Sequence, residues 1–578
     1  MSKQNRRIHK RAESAPSPDA YSDQNPSQTP QPQAQQPASH IAHLIPAVVL
    51  ALVSLAAYFN ALFGDFVYDD EYQVVNNPWL RNASNLLTPF VKDVWAFRAA
   101  AYPYIRVPVF QARSNYYRPL MHTVYTLCYQ AFGLHPMGYH LVNVLFHCGV
   151  TVLVFLILRR LLPESRTSEY ISAPFLAALL FAVHPIHTEA VMWIACLPDV
   201  AFTFLYLLSL YFYTKSGMLK SGSYVASVGC FALAAFFKEP ALTLPAILFA
   251  YDLTLRQERP SWSDCAKRFV PYFAVAAVYL AMRISALGAF KPGRPHHQFS
   301  AYQNAINVFP LFANYLGKLL LPVNLNAFYV LHPVTSLLEW RELIALAVTA
   351  GAVALWVVAY RKNKVAFLSI LLLVAPLLPV LYIPAVGENT FADRYLYLPS
   401  VGYAFLLALF ISWAALRLPN GARIIATVFL LLAGAYAVGT VNRNKVWQNE
   451  YTLWTDTVEK SPESAFAHFK LGHAYRHRKM PAEAIEQFQA AVSIAPSYAD
   501  AHDQLGGIYE DLGMYDKALP ELKAAAAINP AHDAVHYNLG LLYYNLGQKD
   551  NARIELTRAL AITPDDRDTL ELMRELSH

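Results

Sequence analysis

Charge and cysteine are both scarce in this chain. Of its 578 residues 15% are Asp, Glu, Lys or Arg, where an ordinary soluble domain has about 25%. The apolar share is 55%, which argues against a set of soluble globules. The five cysteines, Cys128, Cys148, Cys196, Cys230 and Cys265, lie in or beside apolar stretches at spacings that match no CxxC or zinc pattern. They exclude a secreted disulfide scaffold and read as small buried hydrophobes. No Gly-rich phosphate loop is present. An aromatic share of 13%, nine Trp and a mean hydropathy of +0.26 exclude a disordered protein and place most of the chain in a bilayer.

Apolar runs predict membrane helices near 41–59, 139–161, 171–187, 196–214, 223–237, 240–255, 269–287, 343–360, 365–383, 395–416 and 423–440, eleven in all. Short loops carry Lys and Arg on the cytoplasmic side of a membrane. Arg159, Arg160 and Arg166; Lys215 and Lys220; Arg256, Arg259, Lys267 and Arg268; Arg361, Lys362 and Lys364; and Arg417 with Arg423 mark every second connection. A serpentine path requires this alternation. The apolar stretch 302–321 would break it as a crossing, so it is placed as an interfacial or re-entrant helix in an outer loop, 288–342. A second interfacial helix is expected at 116–132 in the other outer loop, 60–138. Residues 1–40, rich in Pro, Gln and Ser and opening with Lys3, Arg6, Arg7, Lys10 and Arg11, read as a disordered tail held in the cytoplasm. An odd number of crossings puts the C-terminal portion in a periplasm or organelle lumen. The expected host is a bacterial inner membrane, or the endoplasmic reticulum in a eukaryote.

Charge divides the chain a second way. Residues 442–578 carry 14 Lys and Arg against 20 Asp and Glu, net −6, while 1–441 carry 32 against 20, net +12. An acidic soluble portion argues against a nucleic-acid partner. Within it Pro462, Pro496, Pro530 and Pro564 recur every 34 residues. Leu471/Leu505/Leu539, Gly472/Gly506/Gly540 and Ala484/Ala518/Ala552 keep the same register. This is the tetratricopeptide period, with repeats near 463–496, 497–530 and 531–564 followed by a capping helix. Stacked helix pairs offer a concave surface suited to a protein or peptide. The fold class is therefore all-α: a polytopic membrane domain over 41–441, then a tetratricopeptide solenoid over 442–578.

Ionisable groups near a membrane are costly and each invites a functional reading. Asp65, Asp69, Asp70 and Glu71 follow the first helix, and such a cluster suits a general base or a bound cation; a solvated loop is the plain alternative. His184, His187 and Glu189 lie in His-Pro-Ile-His-Thr-Glu, a spacing open to a metal, a phosphate contact or a hydrogen-bonded turn. Lys238 and Glu239 form a boundary charge pair, and Glu388, Asp393 and Arg394 precede the tenth helix. By topology all four clusters fall on the outer side, which favours an outward-facing active site over a transport path.

Those residues carry a resemblance. Phe66-Val-Tyr-Asp-Asp-Glu with Asn76-Asn77-Pro78, Tyr117-Arg118-Pro119-Leu120, Gly138-Tyr-His-Leu-Val-Asn143, Phe181-Ala-Val-His-Pro-Ile-His-Thr-Glu-Ala190, Lys238-Glu239 and Arg394-Tyr-Leu-Tyr-Leu-Pro-Ser400-Val-Gly402 resemble the transmembrane and tetratricopeptide-repeat-containing O-mannosyltransferases of the GT-C glycosyltransferase superfamily. The resemblance runs from about 41 to 570. It implies about eleven membrane helices, a polyprenyl- or dolichyl-phosphate sugar donor, mannose as the sugar, and a protein Ser or Thr as acceptor. Asp70 would act as general base, with Asp69 as second choice and Glu71 beside them. Arg118, Lys238, Arg394 and His184 would meet the donor phosphate, with His187, Glu189, Glu239 and Asp393 as further candidates. No cofactor is required; a divalent metal beside Asp69 and Asp70 is allowed. The chain departs from the animal members in having only about three repeats. A flippase for lipid-linked sugar and a membrane-anchored tetratricopeptide scaffold are the competing readings.

Overall fold

A computed structural model describes residues 40–98, 116–162, 172–216, 221–257, 261–288, 299–383 and 389–577. The basic tail before residue 40, together with Arg166, Lys220, Arg259 and Glu388, lies outside them. Among the described residues the protein is all-helical, with no strand.

Among the described residues seven helices are long and apolar enough to cross a membrane: Pro136–Leu161, Ile194–Lys215, Trp262–Leu287, Trp340–Lys362, Lys364–Leu381, Pro399–Arg417 and Gly421–Val446. Ala173–Ala182 and Pro185–Met192 make an eighth if the 46° bend between them is one broken span. The other predicted segments are helical but short. Leu44–Ala57 and Gly222–Phe237 fall below spanning length, and Leu244–Thr254 has 11 residues. A hydrocarbon core needs about 20 helical residues, and Pro185, Pro240 and Pro245 interrupt the helices where the apolar runs alone read as continuous. In Trp340–Lys362 only 11% of the apolar window is buried inside the protein, and in Trp262–Leu287 17%. Faces this apolar and this uncovered fit lipid as their solvent.

The stretch 302–321 is two helices, Ala301–Ile306 and Val308–Leu320, separated at Asn307. The longer, 13 residues, spans about 20 Å, less than a bilayer core. The other expected interfacial helix is Pro119–Phe132, begun by Pro119 in its first turn. Small residues set the closest approaches in the membrane portion. A Cβ on Gly402 would lie 2.4 Å from the Ser369 carbonyl oxygen and 2.6 Å from the Leu373 nitrogen, so only glycine lets Pro399–Arg417 lie against Lys364–Val374.

The last membrane helix, Gly421–Val446, is followed almost at once by Glu450–Lys460, whose Asn449 and Thr452 form a capping box. Trp447, Leu453, Trp454, Ala467, Leu471 and Ala474 share one apolar core with the membrane helices. The loop before Trp340 also docks here: the Asn326 amide donates to Ser461 Oγ at 2.8 Å, and Lys460 to the Leu325 carbonyl at 2.9 Å. The first repeat is therefore packed onto the membrane portion rather than tethered by a linker.

Three helix pairs follow: Ala465–His477 with Pro481–Ile494, Ala499–Asp511 with Tyr515–Ile528, and Asp533–Asn545 with Lys549–Ile562, closed by Arg567–Glu575. The in-register glycines seat the partner helix. A Cβ on Gly506 would come within 2.4 Å of Leu522 Cγ. Gly506→Leu is accordingly expected to destabilise the repeats by about 1–3 kcal/mol through overpacking, read as an earlier thermal loss of helical circular dichroism; an unchanged melting curve would contradict this packing. A second periodic device ties each pair together. His468, His502 and His536 place Nε2 at 3.0–3.1 Å from the Pro462, Pro496 and Pro530 carbonyls. Their Nδ1 atoms meet Gln487, Glu521 and Glu555 at 2.6–2.8 Å.

Candidate functional site

The loop after the first helix is shaped by hydrogen bonds that consume Asp70. This residue is fully buried. One carboxylate oxygen accepts the Val67 N–H at 3.1 Å, closing a tight local turn, and the other accepts the Ala195 N–H at 2.7 Å. Asp70 thus stitches the loop to the segment between Thr188–Met192 and Leu197–Lys215. The turn drives Tyr68 to φ 58°, a left-handed conformation unusual for a bulky residue. Its ring is held by stacking on Trp193, with centroids 4.9 Å apart, and by the edge of Trp454 at 5.1 Å. Its N–H donates to Glu450 Oε1 at 2.5 Å. The loop continues as a helical turn, Glu71–Val75, then Asn77 caps Pro78–Arg81 by accepting the Trp79 N–H at 3.0 Å.

Asp69 is placed differently. It is half-buried, and among the described residues its carboxylate forms no hydrogen bond. Burial raises its carboxyl above the ordinary range, opposed by the charges of Lys470, Arg394 and Arg98. Burial pushes Asp70 well up too, opposed by the Val67 and Ala195 N–H groups. The sequence favoured Asp70 over Asp69 as base; in the structure the Asp70 carboxylate accepts two backbone N–H groups, whereas that of Asp69 accepts none among the described residues. Glu71 is exposed.

The predicted cations converge, each with a carboxylate. Arg394 is ion-paired with Glu189, and its backbone N–H donates to the other Glu189 oxygen at 2.9 Å. Its guanidinium lies 5.2 Å from the Trp193 ring and 4.8 Å from Tyr395. Lys238 donates to Asp199 at 2.5 Å and stands 5.3 Å from the Tyr395 ring. Arg118 meets Glu239 at 3.8 Å and lies over Tyr116 at 4.6 Å. Asp199, Lys238, Arg394 and Tyr395 line one small cavity with Pro240 and Leu398. Asp393 turns the other way, accepting from the Tyr329 hydroxyl at 2.8 Å; burial and the nearby Glu189 charge push it up to about 7.

The two histidines do not join this cluster. His184 Nδ1 accepts the Ile186 N–H at 3.2 Å, which leaves Nε2 as the donor to the Leu319 carbonyl at 3.2 Å. It is a helix cap at the 46° bend. His187 Nε2 lies 2.8 Å from Ser400 Oγ, which itself donates to the Tyr397 carbonyl. The metal readings fare no better: among the described residues no three His, Cys, Asp or Glu side chains are grouped to hold an ion. Glu189 is committed to Arg394, and all five cysteines are free.

Two contributors escaped the sequence reading. Asp199 follows Pro198 in the first turn of Leu197–Lys215; an acid at the head of an otherwise apolar helix was the available signal. Lys470, on the first repeat helix, reaches the loop that carries Asp69, with its ammonium 5.9 Å from the Tyr68 ring and 5.7 Å from the Tyr72 ring. In the next repeats its register position holds Gln504 and Asn538, and that departure was legible.

The fold defines the class as far as architecture goes: among the described residues, an all-helical bundle with several apolar spans followed by a C-terminal helical solenoid. The solenoid matches the tetratricopeptide repeat models over residues 465–498 and 509–576, and the chain carries these repeats. Curated relatives are proteins named "Protein O-mannosyl-transferase TMTC3" of Mus musculus, 28% identical over 77% of this chain and 50% of that protein, and "Protein O-mannosyl-transferase F38B6.6" of Caenorhabditis elegans, 26% identical over 77% of this chain and 62% of that protein. The human "Protein O-mannosyl-transferase TMTC1" is 26% identical over 78% of this chain and 55% of its own length. The resemblance seen in the motifs is borne out, and the chain spans about half the length of the curated relatives it matches.

Proposed function

We propose that this chain is an integral-membrane glycosyltransferase that moves mannose from a polyprenyl- or dolichyl-phosphate carrier to the hydroxyl of a protein Ser or Thr. The observation that supports it best is that the Asp69 loop and Arg394 share one aromatic neighbour: Tyr68, beside Asp69, stacks on Trp193 at 4.9 Å, and the Arg394 guanidinium lies 5.2 Å from the same ring. One group can take a proton while the other holds an anion, as transfer from a lipid phosphate requires. Asp69 removes the proton from the acceptor oxygen as that oxygen attacks C1 of the sugar, inverting its configuration. Negative charge then develops on the departing lipid phosphate. Arg394, Lys238 and Arg118 meet it, each preset by its carboxylate so that little reorganisation accompanies the reaction. Asp70 acts at one remove, fixing the loop that carries Asp69. The repeats present or select the protein acceptor on the outer face of the membrane, in a periplasm or lumen.

Comparing glycopeptides from cells with and without the gene by mass spectrometry tests the reading: O-linked hexose on a subset of exported proteins should vanish with the gene, and an unchanged glycopeptide set would contradict it. The pH dependence follows from the direction of the Asp69 shift. The base works only when deprotonated, and burial raises its pKa, so kcat/KM should climb with pH through a limb displaced above the ordinary carboxylate value of about 4. Activity is lost below that limb. A limb at or beneath the ordinary value would remove Asp69 from the role.

A further inference from the structure

We propose that Lys470, carried by the first tetratricopeptide repeat, is a positioning residue for the Asp69 carboxylate, so that the catalytic centre is completed across the junction of the membrane and repeat portions. This deepens the reading of Asp69 as base and rests on it.

Geometry carries the assignment. The Lys470 ammonium stands 5.9 Å from the Tyr68 ring, 5.7 Å from Tyr72 and 5.6 Å from Phe466. Tyr68 and Tyr72 bracket Asp69 in the loop. A lysine held against ring faces keeps its charge while its stem loses rotamer freedom, so the ammonium is fixed where the loop acid emerges. The helix Ala465–His477 that bears it is fixed as well, because Phe466 packs on Trp454 and Phe328, and Ala467 and Leu471 lie in the core shared with the membrane helices. Register marks Lys470 as different from its counterparts. Gln504 accepts from Arg476 at 2.7 Å and Asn538 donates to Asp503 at 2.9 Å, so in the later repeats this position links neighbouring helices, whereas in the first it points at the loop.

The charges around Asp69 come from several elements. Lys470 from the repeat, Arg394 from the segment before Pro399–Arg417, and Arg98 from the outer loop oppose the effect of burial on it. Asp70 and Tyr72 on its own loop are its like-charged or ionisable neighbours. Glu450 also feels Lys470. Of the three cations, Arg394 is ion-paired with Glu189, and Arg98, on the outer loop itself, lies 4.1 Å over the Trp95 ring and 5.6 Å from Tyr72; Lys470 is the one carried by the repeats, and its ring contacts are Tyr68, Tyr72 and Phe466.

The test uses the full chain in lipid nanodiscs, with dolichyl-phosphate mannose and a Ser/Thr peptide as probes, and compares Lys470→Gln with Lys470→Arg. Removing the cation should raise the Asp69 pKa, moving the acid limb of kcat/KM to higher pH by about one unit or more; the arginine variant should restore it. A limb unmoved in Lys470→Gln would overturn the proposal. A second measurement needs no turnover. With lysines reductively methylated using ¹³C-formaldehyde, the Lys470 methyl resonance, identified by its loss in Lys470→Arg, should show an acid-range inflection that disappears in Asp69→Asn. Identical titration curves in the two proteins would overturn the proposal even if Lys470→Gln fails to fold. Absence of transfer by the wild-type chain would instead count against Asp69 as base, and the resonance would still decide whether Lys470 and Asp69 are coupled.

Discussion

Asp69→Asn is expected to reduce sugar transfer by about 10²- to 10⁴-fold, the usual cost of removing a general base, without loss of folded protein. The amide matches the carboxylate in size, and no hydrogen bond to the Asp69 side chain is sacrificed among the described residues. Asp70→Asn should behave otherwise. Its carboxylate accepts two backbone N–H bonds, and an amide has one acceptor oxygen, so one buried N–H loses its partner or faces an NH₂ group. The expected outcome is destabilisation by about 1–3 kcal/mol, with residual transfer roughly in proportion to the folded protein. Steady-state kinetics beside a melting curve separate the two. Full activity in Asp69→Asn with a dead but folded Asp70→Asn would return the base to Asp70.

Arg394→Ala should be the most disruptive single change to the cation cluster. Glu189 is 2% exposed, and removing its partner leaves a carboxylate held only by the Arg394 backbone N–H. Breaking a buried pair from one side costs about 3–5 kcal/mol. The variant should therefore lose its folded, monodisperse form on heating well before the wild type. Neutralising the stranded acid should recover much of that loss, so Arg394→Ala with Glu189→Gln should survive heating better than Arg394→Ala alone. Donor affinity should stay impaired in both, since the cation that meets the lipid phosphate is missing in each. Equal heat resistance of the single and double variants would contradict the burial argument. Normal donor binding would contradict the phosphate role.

The repeats were legible because a fixed period forces the same side chains into the same packing environment, as Gly472, Gly506 and Gly540 show against Phe488, Leu522 and Leu556. The His468, His502 and His536 ties share that period, yet they escaped because a polar residue repeated at one position reads as readily as solvent-facing. The apolar runs located the membrane portion but not its span lengths. Hydropathy averages over Pro185 and Pro240, whereas the backbone bends or tightens at them. The acid cluster after the first helix was legible, but not how its members are placed. Two adjacent acids look alike in a sequence, and only the turn at Tyr68 decides that Asp70 accepts from Val67 and Ala195 while Asp69, half-buried, does not. His184 illustrates the same limit: a hydrogen-bonded turn was among its open readings, but the Leu319 carbonyl that engages its second nitrogen lies far along the chain. Asp199 and Lys470 required the fold outright, since each gains meaning from a residue brought to it by tertiary packing.

The most direct test is transfer by the purified full-length chain in nanodiscs, supplied with radiolabelled polyprenyl-phosphate mannose and a Ser/Thr-rich peptide, with the product's anomeric configuration determined. The predicted result is mannose on a Ser or Thr hydroxyl with inversion at C1, formed by the wild type and nearly abolished in Asp69→Asn. Retention of configuration, equal transfer by Asp69→Asn, or no donor-dependent product from the folded wild type would contradict it.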